Sequence, residues 1–358
     1  MAERADEAVE LAIAPLRQFA EEAMLAAGAI EEAALLVAEV QLEATLRGQP
    51  THNVGSIPSY ARSVKDGKVN SKPSLRTVSE SDTHAVLDAD DGPGQWAGVL
   101  AMRMCMEKAG ASGMGAVGVR RSTHFGAAGY YASMAADRNL IGLCTTNGGL
   151  VLAPWGGATP TFGNNPLGVA IPVAGSHPIM LDIAMSTVAM GKVALSIAQG
   201  KGIPPDWYMD SEGRPTTDAK DYPQGLGVPM AGHKGYGLVL IMEILAGVLT
   251  GAAFGWDHEF RGQETPWIRD IGHFFLAIDP GRFMPVDQFK SGVAELISQI
   301  RRSKPAHGQR GAIVPGDPEY DARERNLAKG TVPLLKTTYE GLAKLKKEWG
   351  LKTELEPV

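Results

Sequence analysis

The apolar residues of the chain change their period as it proceeds. In "EEAALLVAEVQLEATLRG" they recur at helical spacing up to Gly48, a C-cap, within a first 47 residues rich in Ala, Glu and Leu. A turn-rich segment follows to about residue 74. "THAVLDAD" then reads as a short strand and "DDGPGQ" as the loop that closes it. Residues 96–110 predict a helix with Met and Ala on its inner face. Short β-rich runs come next: "GAVGVRR", "IGLCTTN", "PLGVAIPV", "PIMLDIA" and, much later, "HFFLAID". Helices are expected between them at 127–138, 187–199 and 236–250, and from 286 to 349 the pattern returns to helix, ending in "GLAKLKKEWG". The order admits a helical unit made from both chain ends, 1–77 with 286–358, around a mixed-sheet unit, 78–285.

Length agrees with that division, because 358 residues exceed what one compact core usually holds. The most apolar stretch, 235–255, is interrupted by Glu243, so it predicts a buried helix rather than a membrane span. The formal net charge of -6, with 44% hydrophobic and 21% charged residues, describes an ordinary soluble globular protein. It argues against nucleic acid or an anionic membrane as partner, since either calls for a basic patch. Two cysteines without a C-x-x-C exclude a zinc ribbon and a disulfide framework, and no metal site is expected. The acidic start "MAERADEAVELA" is no secretory signal, so a reducing, cytoplasmic setting is expected.

One motif is a decoy. Gly113, Gly115 and Gly118 in "GMGAVG" match G-x-G-x-x-G, but a dinucleotide fingerprint needs a strand before the glycines and a helix after them. Here the order is reversed, and the glycines predict a helix-to-strand turn. The chain carries no Walker A loop, no H-E-x-x-H and no G-x-S-x-G.

Chemistry concentrates elsewhere. His52 in "QPTHNVGSIPSY" and His124 in "RRSTHFGAAGYY" both sit in turns, where each is a proton carrier or a filler of the turn. Residues 143–172 carry Asn147, Trp155, Gly156, Gly157, Asn164, Asn165 and Pro166, either a ligand-approach loop or two tight turns of a β-rich unit. Asp182 ends an apolar strand and needs a partner there, for which histidine is an obvious choice. Ser186 and Thr187 read as a helix N-cap, and Lys234 in "GHKGYG" as a phosphate ligand or a surface lysine.

Together "STHFGAAGYY", "APWGG", "GNNPLGVAIP", "LDIAMS" and "GHKGYGLVLIMEILAG" resemble the malate/L-lactate dehydrogenase family of non-Rossmann NAD(P)-dependent oxidoreductases, from about residue 30 to about 330. That family also holds ureidoglycolate and sulfolactate dehydrogenases, diketogulonate reductase and Δ1-piperideine-2-carboxylate reductases. The resemblance implies a mixed α/β fold: a cofactor unit with a mostly antiparallel sheet and a helical unit from both chain ends. It implies NAD or NADP as cofactor, a small-molecule substrate, and a homodimer with active sites near the subunit interface. It implies His52 as proton donor, His124 as a second acid/base histidine and Asp182 as the aspartate that pairs with histidine beside the cofactor. Cofactor contacts are expected from Asn147, Asn165, Met180, Leu181, Asp182, Ile183, Ala184, Met185, Ser186, His233, Lys234, Gly316, Asp317 and Pro318.

The departures are specific. Thr51 replaces the usual serine, Asn53 the usual glycine, and Ser56 the arginine that typically clamps the substrate carboxylate. Serine cannot stand in for a bidentate, permanently charged fork. Either Arg62 or Arg121 supplies the cation, or the substrate is no ordinary 2-oxo acid. Substrate contacts are expected from Thr51, Ser56, Tyr60, Arg62 and Arg121. The expected reaction is hydride transfer between nicotinamide and a 2-oxo or 2-hydroxy acid, with reduction of a cyclic imine, or a silent metabolite-binding relative, as alternatives.

Overall fold

A computed structural model describes residues 8–188, 192–193, 196, 201–218, 225–258 and 270–358. The chain opens with β1 (Ala8–Ala12), α1 (Ile13–Ala26), α2 (Glu31–Leu46) and α3 (Ile57–Lys65). Next come β2 (Arg76–Glu80), β3 (His84–Asp88), α4 (Gly94–Ser112), β4 (Met114–Ser122) and α5 (Ala128–Ala136). β5 (Ile141–Thr146), β6 (Leu167–Ile171) and β7 (Ile179–Ile183) follow, then the two-residue strands β8 (Tyr208–Met209) and β9 (Leu226–Gly227). α6 (His233–Glu243) runs into a π-helical turn at Ile244–Val248. β10 (Ile271–Ile278), α7 (Val286–Arg301), α8 (Asp317–Lys329), β11 (Thr331–Leu335) and α9 (Lys336–Trp349) complete the order.

The fold is mixed α/β, with a seven-stranded sheet in the order β2-β3-β4-β10-β5-β6-β7. β3 and β4 pair parallel, and every other neighbouring pair is antiparallel. The glycines of the decoy motif explain one close contact. Gly113 caps α4 at φ +89, and a Cβ on Gly115 would lie 2.1 Å from the Cys105 carbonyl oxygen. Glycine at 115 lets α4 press directly onto β4, a packing role that needs no phosphate.

The two chain ends meet. β1 pairs antiparallel with β11, and Leu16, Phe19, Met24, Leu42, Ile57, Val332, Leu342 and Leu345 share one apolar core. Each fully buried side chain of this size contributes about 1.5–3 kcal/mol by leaving water. α2 serves two cores at once. Val37, Leu42 and Leu46 face the terminal helices, whereas Ala33, Leu36 and Val40 face the core under the sheet. The segment leaving α2, Arg47–Ser56, is thereby held at the junction of the two.

Three expectations change. The C-terminal part is not continuous helix: Gly330 at φ +73 stops α8, and the apolar "TVPLL" extends to pair with β1. β2 emerges from the edge of the turn-rich segment, exposed along its whole length. The helix expected at 187–199 lies largely outside the described residues. The stretch 235–255 is helical but only half buried: Val239 and Met242 pack inward, while Leu238, Ile241, Ile244, Val248 and Leu249 are 41–59% exposed. Its apolar residues surround the helix, and a single chain covers only one face. Among the described residues no helix is long and apolar enough to cross a membrane.

Candidate active site

The loop after α2 is stiffened by its own polar side chains. The Asn53 side chain accepts from the Gly55 N–H at 2.9 Å and donates to the carbonyls of Gln49 at 3.0 Å and Pro50 at 3.2 Å. From α2, the amide of Gln41, turned so that its nitrogen faces the loop, donates to the carbonyls of His52 at 2.8 Å and Asn53 at 2.9 Å. His52 therefore stands on a pinned backbone, and asparagine at 53 has a local structural reason.

His124 arrives from the other side, two residues beyond β4. Arg121 takes a left-handed φ of 49, and the Thr123 hydroxyl donates to the Gly92 carbonyl at 3.1 Å and accepts from the Gly94 N–H at 3.0 Å. These contacts aim the imidazole of His124 at that of His52. The rings stack with centroids 5.3 Å apart and planes 15° from parallel. The Thr51 hydroxyl lies 2.8 Å from His52 Nδ1. His124 Nδ1 lies 2.7 Å from the Tyr60 hydroxyl and accepts the Gly126 N–H at 3.3 Å. A peptide N–H only donates, so the neutral His124 ring carries its proton on Nε2.

Burial lowers the pKa of His52, and the neighbouring Asp182 carboxylate raises it part of the way back. Burial, with repulsion from His52 second, pushes His124 down to about 3. His124 is thus neutral at every ordinary pH, whereas His52 has a carboxylate ready to stabilise its charged form. Burial also raises the Tyr60 phenol well above its ordinary range. Asp182 lies near the end of the edge strand β7, where Gln49 Nε2 donates to its Oδ2 at 3.0 Å. α5 packs against it so closely that a Cβ on Gly129 would sit 2.9 Å from Asp182 Cβ.

A cleft of about 310 Å³ opens beside this carboxylate, between Met180–Ile183 and Ile313–Glu319, with Gln49 on its wall. Its size is at the low end of small-molecule pockets and suits part of a dinucleotide. Gly316, at φ +99, would place a Cβ 3.0 Å from the Met180 N–H, so glycine keeps this wall thin. Two buried polar atoms near it, Arg47 Nε and Gln49 Oε1, have no partner among the described residues. A recess with unsatisfied polar groups at one end and Met and Ile along its side fits a nicotinamide ring and its ribose.

The other expected residues divide. Leu181 and Ile183 line the cleft with Met180 and Asp182, and Pro318 and Gly316 form its far wall. Asp317 instead opens α8 and fastens the segment before it: its Oδ2 accepts the Val314 N–H at 2.9 Å, and its Oδ1 pairs with Arg301 at 2.9 Å. Ala184 and Met185 carry the chain away from β7, and the Met185 carbonyl accepts the Met230 N–H at 2.9 Å, just before α6. Ser186 donates to the Val188 carbonyl at 2.7 Å. His233 opens α6 edge-on to Trp155 at 6.0 Å, with Lys234 exposed beside it. Asn147 and Asn165 both donate to the buried Glu243 carboxylate, at 3.3 and 2.6 Å. Ser56 precedes α3 and is half-buried. Arg62 pairs with Glu348 of α9 at 2.6 Å on the surface. Arg121 pairs with Asp88 at 3.2 Å, Asp90 at 3.4 Å and Asp91 at 2.5 Å. Both guanidiniums are thus already engaged by carboxylates. Sequence reasoning missed Gln41, Arg47 and Gln49, whose one local signal is that they precede His52 on α2 and in the turn that leaves it. Arg47 is buried, donates to Ser133 Oγ at 3.3 Å and Met180 Sδ at 2.6 Å, and lies 4.8 Å over the Tyr320 ring. Among the described residues no cluster of His, Cys, Asp and Glu is arranged to hold a metal ion.

This geometry can be set beside known proteins. A sequence profile for malate/L-lactate dehydrogenase matches residues 11–343. The malate dehydrogenase of Pyrococcus abyssi is 34% identical over 333 residues, covering 91% of each chain. The L-sulfolactate dehydrogenase of Methanocaldococcus jannaschii is 36% identical over 328 residues, 91% of this chain and 93% of that one. The crystal structure of malate dehydrogenase from Entamoeba histolytica superposes with a TM-score of 0.90 at 30% identity, covering 97% of this chain and 99% of that one.

Proposed function

The chain belongs to the malate/L-lactate dehydrogenase family and is an oxidoreductase, and on that premise we propose that it exchanges hydride between NAD or NADP and the 2-carbon of a small 2-oxo or 2-hydroxy acid. The observation that carries this reading is the stacked His52–His124 pair, with His52 under the influence of the Asp182 carboxylate that lines the Met180–Gly316 cleft. Bound nicotinamide supplies or accepts the hydride. Everything else falls to this chain.

His52 is the general acid/base. Its imidazole takes the hydroxyl proton in oxidation and returns it to the carbonyl oxygen in reduction, with Asp182 stabilising the imidazolium and Thr51 holding Nδ1. Because its pKa lies below the ordinary value, the neutral base persists to lower pH. Oxidation is lost as pH falls through that lowered pKa, and reduction gains there. His124, neutral and protonated on Nε2, donates a hydrogen bond and exchanges no proton. Met180, Leu181, Ile183, Gly316 and Pro318 would hold the cofactor, and His233 and Lys234 at the start of α6 would serve its phosphates. The substrate meets Thr51, Ser56 and Tyr60. Ser56 in place of a carboxylate-binding arginine, with Arg62 and Arg121 paired elsewhere, selects an acid of unusual shape or charge.

The exposed apolar face of α6 and its π turn, Leu238, Ile241, Ile244, Val248 and Leu249, is the contact with a second copy of the chain, giving a homodimer. The unpaired buried thiols of Cys105 and Cys144 suit a reducing, cytoplasmic setting. The test is direct. His52→Ala should lower kcat about 10²–10⁴-fold with the best acid of a 2-oxo and 2-hydroxy panel, while the Kd for NADH or NADPH, read by fluorescence, stays near the parent value. A kcat within a few-fold of the parent removes His52 from the mechanism.

A further inference from the structure

Asp182 has two claimants. Gln49 Nε2 donates to its Oδ2 at 3.0 Å, across 133 positions of sequence, while His52 feels the same carboxylate electrostatically. Gln49 Oε1 has no partner among the described residues, so the orientation of the amide is set by Asp182: turning it would put oxygen against oxygen. Gln49 itself is not free to drift, because the Asn53 side chain holds its carbonyl at 3.0 Å and Gln49 N donates to the Ala44 carbonyl at 3.0 Å. The backbone of α5 at Gly129 closes another side of the carboxylate. We propose that Gln49 is a positioning residue, which holds Asp182 against the cleft wall and so limits how much of its charge reaches the His52 imidazole.

This rests on the reading of His52 as the acid/base. It extends that reading by naming what sets the strength of the base. A carboxylate that accepts one N–H has less charge to offer a second partner, and one tethered by an oxygen cannot turn fully toward it. The groups facing the pair from each neighbouring element are few. His124 stacks on His52 from the turn after β4, with the Tyr60 phenol of α3 behind it. The buried Cys144 thiol of β5 feels Asp182, Arg47 lies behind Met180, and Glu319 of α8 lines the cleft. Gln49 is the side chain with a hydrogen bond to the Asp182 carboxylate among the described residues.

The experiment needs neither substrate nor cofactor. Protein labelled at histidine Cε1 is titrated by NMR, with the His52 resonance identified by its loss in His52→Asn. Gln49→Met keeps the length of the side chain and removes the donor. It should raise the His52 pKa by at least about half a unit, and Gln49→Glu, which adds a second carboxylate, should raise it further. Both variants are checked for a parental thermal transition, and Gln49→Leu serves if Met does not fold. An unchanged or lowered His52 pKa in a folded Gln49→Met protein overturns the proposal. That failure leaves the role of His52 standing, since the latter is judged by turnover of His52→Ala and the former by titration alone.

Discussion

Two of the polar clusters among the described residues are built in different ways. The Glu243 carboxylate itself is fully answered: Asn147, Asn165 and the Gly255 N–H all donate to it, at 3.3, 2.6 and 3.0 Å, although Asn165 Oδ1 has no partner among the described residues. Asn147 goes on to bind the Ala253 carbonyl at 2.8 Å and the Gly272 N–H at 2.9 Å. This network stitches α6 to the ends of β5 and β10. Around His52 the groups are aimed at one another but not saturated. Two imidazoles stack, a carboxylate acts on one of them, and Arg47 Nε and Gln49 Oε1 lack partners among the described residues. Polar density is therefore a poor guide to a site. Incomplete satisfaction beside a cleft is a better one, because structure alone gives no reason to tolerate its cost.

Breaking the first cluster should cost stability and little else. Glu243→Ala leaves three donors without an acceptor, so unfolding in urea should show a loss of at least about 3 kcal/mol, whereas His52→Ala should stay within about 1 kcal/mol of the parent. A Glu243→Ala protein that unfolds like the parent would erase the contrast. A smaller effect sharpens the border between the clusters. His273 is wholly buried, held by Thr146 and Ser122 at 2.8 Å each, and burial pushes its pKa to about 3. In the unfolded chain it takes up a proton as pH falls below ~6.5, while the folded protein does not. It therefore contributes stability that is full above that pH and is lost on acidification down to about 3. His273→Gln should flatten the slope of unfolding free energy against pH in that window by about 1.4 kcal/mol per pH unit. An unchanged slope would show that His273 is protonated in the fold. The smallest effect is expected at Arg62, whose pair with Glu348 is 43% and 40% exposed. Arg62→Ala should alter stability by under ~1 kcal/mol and substrate KM by less than about twofold. A tenfold rise in KM would put Arg62 in the site instead.

Much of the fold was legible along the chain. β3, β4, β5, β6, β7 and β10 fall where short apolar runs end at Gly, Pro or Asn, and the reversed order around Gly113 and Gly115 already spoke against a Rossmann turn. What escaped was whatever depends on a distant partner. β11 extends because β1 is there to pair with it, more than 300 positions away. Gln49 reads as an ordinary turn residue until Asp182 comes alongside, and nothing near Asn147 or Asn165 in the chain announces that both donate to Glu243.

Taken alone, the amino-acid order determined most of the elements and the family, and singled out His52, His124 and Asp182 as the candidates for the chemistry. Period and turn chemistry are local, and motif likeness needs no coordinates. Which polar groups are spent on holding the protein together, and which are left for a ligand, was decided only in three dimensions. Hydrogen-bond satisfaction and desolvation depend on neighbours that packing supplies, and nothing in a string of residues states who those neighbours are.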